Sequence, residues 1–238
     1  MMKQFAIIGV SKFGQRMLDE LSEVDCEILI VDRSRERIEA LKDRVTSAYI
    51  ADAMNEATIK KLIPSTIDAA IVDLGDRTEV SILVVNYLKK HGIPRIIAKA
   101  ETNEHGEILE LVGATDVIFP NREAARRITP PLVSSLMFNF LPISSSLVIA
   151  EVKVPEEYWG LTLIQADLRR RFGLNVIAIR KENGDDYRFF SPDHKLESND
   201  VFLVAGREED LTRFSGVTIA PKKRSLSTLF KNFLSRGK

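Results

Sequence analysis

The chain has 238 residues, 34 basic against 34 acidic side chains, and a single cysteine. That length accommodates one large domain or two small ones, and 45% apolar with 29% charged residues is an ordinary globular composition. These values exclude collagen-like, disulfide-stapled and wholly disordered chains, and zero net charge argues against a nucleic-acid binder held by its overall field.

The chain opens with a strand, Phe5-Ala6-Ile7-Ile8, and a helix over Gln15–Leu21. A second strand, Glu27–Val31, is apolar and β-branched. Ile38, Leu41 and Val45 then recur at helical spacing in a helix over Arg35–Val45. Ala48-Tyr49-Ile50 is a short third strand. Asn55 is placed to cap a helix through Leu62, which Pro64 stops. Ala69–Val72 is a fourth strand, and Thr78–Lys90 a helix ending at Gly92. Arg95–Ala98 is a fifth strand, Asn103–Val112 a helix ending at Gly113, and Asp116–Phe119 a sixth strand. Alternation of this kind, with strands apolar throughout, predicts a parallel sheet covered by helices on both faces. Six such strands make up a doubly wound, Rossmann-like fold.

The pattern changes after Pro120. Arg122–Phe140 reads as a crossover helix kinked at Pro130-Pro131. Its second half, Leu132–Leu141, is apolar on most sides and must be buried, in this chain or against another subunit. A small α+β lobe follows. It comprises a strand over Leu147–Val154, a helix over Leu163–Phe172, a strand over Asn175–Ile179 and a turn at Asn183-Gly184-Asp185. A short strand over Tyr187–Phe190, a strand over Val201–Val204 and a helix after Gly206 complete it. The expected divisions are 1–121, 122–142, 143–217 and a tail, 218–238. The tail carries Lys222, Lys223, Arg224, Lys231, Arg236 and Lys238 and no acid, with Leu226, Leu229, Phe230, Phe233 and Leu234 on one helical face. Such a segment suits contact with anionic lipid or a partner, or a solvated terminus.

Cys26 is lone, which fits a reducing compartment. No window holds enough apolar residues for a membrane span. A cytoplasmic protein is expected.

The informative motif is Gly9-Val10-Ser11-Lys12-Phe13-Gly14, between the first strand and the first helix. Glycine at the strand end permits the tight turn, and the helix start offers N–H donors and a positive dipole end to phosphate. Gly14 allows close packing of helix on strand. Ser11 replaces the middle glycine of G-x-G-x-x-G, narrowing the backbone's approach to a pyrophosphate while adding a hydroxyl donor. Asp32, at the end of the second strand, is placed to accept the ribose hydroxyls and to disfavour a 2′-phosphate. Strand, loop, helix and acid together point to an adenine nucleotide.

These segments, with Ala51-Asp52-Ala53, Ile97–Ala100, Val112–Pro120, Gly160–Leu163, Arg171–Arg180 and Asn199–Gly206, resemble the RCK (regulator of potassium conductance) domain. The specific likeness is to the cytoplasmic gating subunits of Trk/Ktr-type potassium transporters. The resemblance covers about Lys3 to Gly216. It implies a nucleotide-sensing N-terminal lobe binding ATP or ADP, or NAD(H), and a C-terminal lobe that takes ions or signalling nucleotides in some members. It implies dimers assembled into an octameric ring at the inner face of the membrane, beneath a potassium pore protein. Gly9, Val10, Ser11, Lys12, Phe13 and Gly14 would hold phosphates, Asp32 the ribose, and Asp52 and Ala53 the adenine, with Arg33 among the nucleotide-binding residues. Leu74 and Gly75, beside Asp73 and Asp76, would form the loop rim, and Lys99 would lie near the phosphates. Lys12 stands where relatives usually carry arginine, keeping the charge without the bidentate fork. Asn121 stands where ATP-gated relatives carry a glutamate that helps hold a cation. It supplies no charge, which argues against strong activation by ATP with a cation.

Other chemistry is less well supported. A dehydrogenase needs a proton relay near the nicotinamide, and the C-terminal lobe offers only His194 and scattered acids. His105, among acidic neighbours at a helix start, reads as a solvated position rather than a metal ligand. Cys26 reads as a small apolar filler, and Arg169-Arg170-Arg171 as a solvated helix end or an anion site. The expectation is a non-enzymatic, nucleotide-binding gating subunit. An NAD-dependent oxidoreductase is the alternative, and a structural partner that has lost its nucleotide is a third reading.

Overall fold

The apolar runs of the first half become strands buried on both faces. In the computed structural model, which describes residues 2–184, 186–191 and 193–216, β1 (Lys3–Ile8) and β4 (Ala69–Val72) lie side by side at the centre of a six-stranded sheet. Side chains alternate across a strand. Ala6, Ile8, Ala70 and Val72 therefore enter one core, while Ile7 and Ile71 enter the other. The remaining strands are β2 (Cys26–Asp32), β3 (Ser47–Ile50), β5 (Ile96–Lys99) and β6 (Asp116–Ile118). Their order is β3-β2-β1-β4-β5-β6, and every pairing is parallel.

Helices α1 (Lys12–Ser22) and α2 (Arg35–Leu41) supply Leu18, Ile38 and Leu41 to one face. Helices α3 (Glu56–Leu62), α4 (Thr78–Lys90) and α5 (Asn103–Val112) supply Ile59, Val84, Val85, Leu88 and Leu109 to the other. Their starts follow local chemistry. Asn55 accepts the Ala57 N–H at 2.9 Å, as expected, and Thr102 accepts the His105 N–H at 3.2 Å.

Contacts divide the chain after Glu123. The second unit is a four-stranded antiparallel sheet, β7 (Met137–Pro142), β8 (Val148–Lys153), β10 (Asp200–Gly206) and β9 (Asn175–Lys181), in that order. Helix α9 (Glu208–Phe214) packs Leu211 and Phe214 into its core.

Three expectations for this half are corrected. The crossover helix, expected over Arg122–Phe140, is α6 (Pro120–Val133) and contains both prolines. Beyond a turn in which Ser134 Oγ accepts the Leu136 N–H, the chain extends into β7. Met137 and Phe140 are buried in this unit's own core on either side of a bulge, so from Met137 the apolar run is a strand, while Leu132 and Val133 end α6 and, with Phe138 and Leu141, are exposed rather than buried. The helix expected over Leu163–Phe172 is broken into α7 (Leu163–Ala166) and α8 (Leu168–Phe172) by Asp167, whose φ is 43°. Ala166 and Leu168 are both buried. Two residues apart on a continuous helix they would face opposite sides, about 200° apart. The Tyr187–Phe190 strand reduces to one bridge between Arg188 and Ile179, with Phe189 exposed. The basic tail lies outside the described residues.

Candidate functional site

In a parallel sheet of this order the chain winds one way from β1 and the other way from β4, leaving a crevice at the carboxyl ends of those two strands. A cleft of about 710 Å³ lies there. It is built from the β1–α1 loop, the end of β2, the β4–α4 loop and the end of β5.

The loop is shaped by glycine. Gly9 has φ +82°, and a Cβ there would lie 2.1 Å from the Asp73 carbonyl oxygen. A Cβ on Gly14 would lie 2.7 Å from the Gly9 carbonyl oxygen, so helix and loop touch only because Gly14 lacks a side chain. Val10 is fully buried beneath the loop, and Phe13 packs on the same core. Among the described residues nothing accepts the Lys12 and Phe13 N–H groups at the start of α1. Donors of that kind, at a helix N-terminus, suit an anion.

Asp32 is buried and already occupied. Its Oδ2 accepts the Val10 N–H at 2.8 Å and faces Arg37 Nη1 at 3.3 Å, and its Oδ1 accepts the Ser34 N–H at 2.8 Å. It therefore fixes the loop to β2 and keeps limited lone-pair capacity for a ribose hydroxyl. Across the cleft, Asp73 Oδ2 accepts the Gly14 N–H at 2.7 Å and the Ser11 hydroxyl. Lys99 sits between carboxylates, 3.6 Å from Asp73 Oδ1 and 2.7 Å from Glu101 Oε1. Burial would lower its pKa, but Glu101 and Asp73 outweigh that and raise it. Five cationic side chains (Lys12, Arg33, Arg37, Arg77 and Lys99) line the cleft against three carboxylates, those of Asp32, Asp73 and Asp76. The excess is positive.

Of the residues singled out from sequence, Gly9, Ser11, Lys12, Asp32, Arg33, Leu74, Gly75 and Lys99 line this cleft. Val10, Phe13 and Gly14 shape it from behind. Asp52 and Ala53 lie outside its lining. Ala53 is buried in the core beside α3 and α4, and the exposed Asp52 accepts the Met54 N–H at 3.0 Å. Gln15, Ser34, Arg37 and Arg77 also line the cleft and were missed. Arg77 follows the same strand end that drew attention to Asp73. Arg37 lies one helical turn beyond Asp32, where only the helix start reveals its direction.

Other candidates resolve differently. His105 is not solvated: it is 4% exposed, with Nε2 2.7 Å from Ser81 Oγ between α5 and α4. His194 pairs through Nε2 with the buried Asp200 at 2.9 Å. Cys26 Sγ contacts the Leu21 carbonyl, and burial pushes its thiol pKa up. Arg171 lies over the Tyr158 and Phe172 rings.

Comparison with known proteins agrees with this organisation. The TrkA-N domain family matches residues 5–120 and the TrkA-C domain family residues 147–216. Ktr system potassium uptake protein C of Bacillus subtilis (strain 168) is 30% identical over 216 residues, covering 90% of this chain and 96% of that protein. Ktr system potassium uptake protein A of the same organism is 29% identical over 212 residues, covering 89% and 95%. A solved structure of the GsuK channel bound to NAD shares the fold, with a TM-score of 0.64 at 18% identity over 94% of this chain and 41% of that longer one. The chain belongs to the RCK-domain family of Ktr system potassium uptake proteins, a TrkA-N domain followed by a TrkA-C domain.

Proposed function

We propose that this protein is the nucleotide-binding gating subunit of a potassium uptake system, acting without catalysis on a membrane-embedded pore. The observation that carries the reading is the cationic cleft at the switch point of the sheet, with the Lys12 and Phe13 N–H groups unengaged among the described residues at the start of α1. Its ligand is an adenine nucleotide. The phosphates lie over the start of α1, and the ribose lies toward the end of β2. The relatives' names supply the potassium uptake system.

The mechanism is a population shift. Subunits assemble as dimers into an octameric ring at the inner membrane face, and a nucleotide that binds one ring conformation better favours it. Moving a two-state ring from 1:99 to 99:1 takes about 5.5 kcal/mol of differential binding, under about 1 kcal/mol for each of about eight sites. Small differences between nucleotides therefore suffice.

Calorimetric titration of adenine nucleotides into the full chain tests the reading, with Lys12→Ala and Arg77→Ala as variants. Both side chains reach the cleft without holding the loop in place, whereas Asp32 supports the fold. The expected result is saturable binding, weakened about tenfold by either variant, as for loss of one charge-assisted contact. No binding by the unaltered chain, or a monodisperse monomer at micromolar concentration, contradicts the reading.

A further inference from the structure

The cleft already holds an anion where a phosphate would meet α1. Asp73 is 1% exposed, and its carboxylate accepts the Gly14 N–H and the Ser11 hydroxyl. Gly14 is the third residue of α1, and its N–H is the one a serine at the helix cap ordinarily takes. Ser11 occupies the cap position yet makes no such bond. It turns its hydroxyl to Asp73 instead, and the carboxylate caps α1 from the end of a different strand. The positive end of the helix is thus partly neutralised before any ligand arrives.

The Gly75 N–H donates to the other Asp73 oxygen at 3.4 Å, so the donors around the carboxylate are mostly neutral. Lys99 is the one described cation paired with Asp73, and it is shared with Glu101, which lies nearer. Among the described residues neither of the other two cleft carboxylates accepts an N–H group of α1. Asp32 faces Arg37 and takes two backbone N–H groups, and Asp76 is exposed at the rim. A ligand phosphate is left the Lys12 and Phe13 N–H groups and the side chains of Lys12, Arg33, Arg37 and Arg77, with Asp73 beside it.

We propose that Asp73 is a specificity-determining residue, biasing the cleft against terminal phosphate monoesters and toward ligands whose phosphates are all diesters, the dinucleotide diphosphate class. The inference rests on the nucleotide-binding reading above and refines it. A diester phosphate carries one charge, and a terminal monoester carries nearly two. Each further ligand charge placed beside a buried carboxylate costs on the order of tenfold in affinity. The Ser11 hydroxyl is one donor to this carboxylate beside the Gly14 and Gly75 N–H groups, and the discrimination comes from the Asp73 charge.

The test is a titration of the full chain with NADH, ADP and ATP at one ionic strength without divalent cations, repeated on Asp73→Asn and Ser11→Ala. The unaltered chain is expected to bind NADH about tenfold more tightly than ATP. Asp73→Asn keeps an oxygen to accept the Gly14 N–H and removes the charge. It should raise ATP affinity about tenfold while moving NADH by less than about threefold. Ser11→Ala removes a hydroxyl but no charge and should leave the ATP-to-NADH ratio within about twofold of the unaltered chain, since a neutral hydrogen bond contributes little charge discrimination. ATP binding at least as tight as NADH in the unaltered chain overturns the proposal, whether or not the variants fold. So does an Asp73→Asn effect equal for both ligands. Failure of all three ligands to bind the unaltered chain overturns the nucleotide reading as well, whereas binding with an unchanged ratio overturns this proposal alone.

Discussion

The two units of the chain differ in what their polar groups leave unmatched. In the C-terminal unit the charges are matched to one another. Glu151 on β8 receives Arg180 at 3.2 Å, with Asn139 and the Tyr187 hydroxyl also donating. Asp200 on β10 receives Lys181, His194 and the Glu197 N–H. Asp210 on α9 receives Arg207 and Arg213. In the N-terminal unit the cleft retains a positive excess and N–H groups with no described acceptor. Self-matched charges give a unit a defined register, and unmatched donors at a helix start give it a ligand. Polar side chains alone do not mark a site. The informative feature is whether their partners are already present.

The comparison can be broken first at the loop. Gly9→Ala places a Cβ into the Asp73 carbonyl at a backbone φ of +82°. The expected loss is on the order of 4 kcal/mol, from backbone strain together with overpacking. Chemical denaturation should show it, with nucleotide binding abolished. A variant of near-native stability would mean that the loop is looser than described.

Next comes the C-terminal unit. Arg180 and Glu151 side chains are each 11% exposed. Arg180→Ala should cost about 3 kcal/mol, the low end for a broken buried pair, because Asn139 and Tyr187 still donate to Glu151. Nucleotide affinity should stay unchanged where the variant is folded. A matching loss of affinity would tie the two networks together and dissolve the contrast.

A smaller effect separates the units by pH. Burial holds the His105 pKa below its ordinary 6.5, against the opposing pull of Glu101 and Glu79. The unfolded chain therefore binds the extra proton first, and the N-terminal unit loses stability as pH falls below 6.5. For Asp200, burial raises the pKa, but Lys181, His194 and the Glu197 N–H outweigh it and lower the value from 3.8. Glu151 is likewise lowered from 4.5, as Arg180 and Asn139 outweigh burial. Their contribution is intact above those ordinary values and is lost only as pH falls further, through the lowered folded ones. Hydrogen exchange followed at stepped pH should show the N-terminal unit loosening first. Simultaneous loosening would contradict the assignment.

Legibility in the sequence follows the same division. The parallel sheet was readable because β1, β4 and β5 must be apolar on both faces, and because Asn55, Gly92 and Gly113 punctuate the helices locally. Gly9 and Asp32 were readable because a tight loop and a strand-end acid recur at fixed spacing. The fate of Leu132–Leu141 was not, since an uninterrupted apolar run fits a buried helix or a bulged strand, and only pairing with β8 decides between them. Asp167 hid for a similar reason: its left-handed backbone follows from burying both Ala166 and Leu168. Asp73 was seen at the loop rim, but its role at the start of α1 joins residues 59 apart. No local pattern encodes that pairing.

The central claim concerns two backbone N–H groups, and hydrogen exchange reads them directly. Exchange at Lys12 and Phe13 should be fast in the ligand-free chain, as expected for helix-start N–H groups without an acceptor. Saturating adenine nucleotide should slow both, with no comparable change in the sheet formed by β7, β8, β10 and β9. Unchanged exchange at Lys12 and Phe13 while the nucleotide is bound would contradict the account and place the ligand elsewhere.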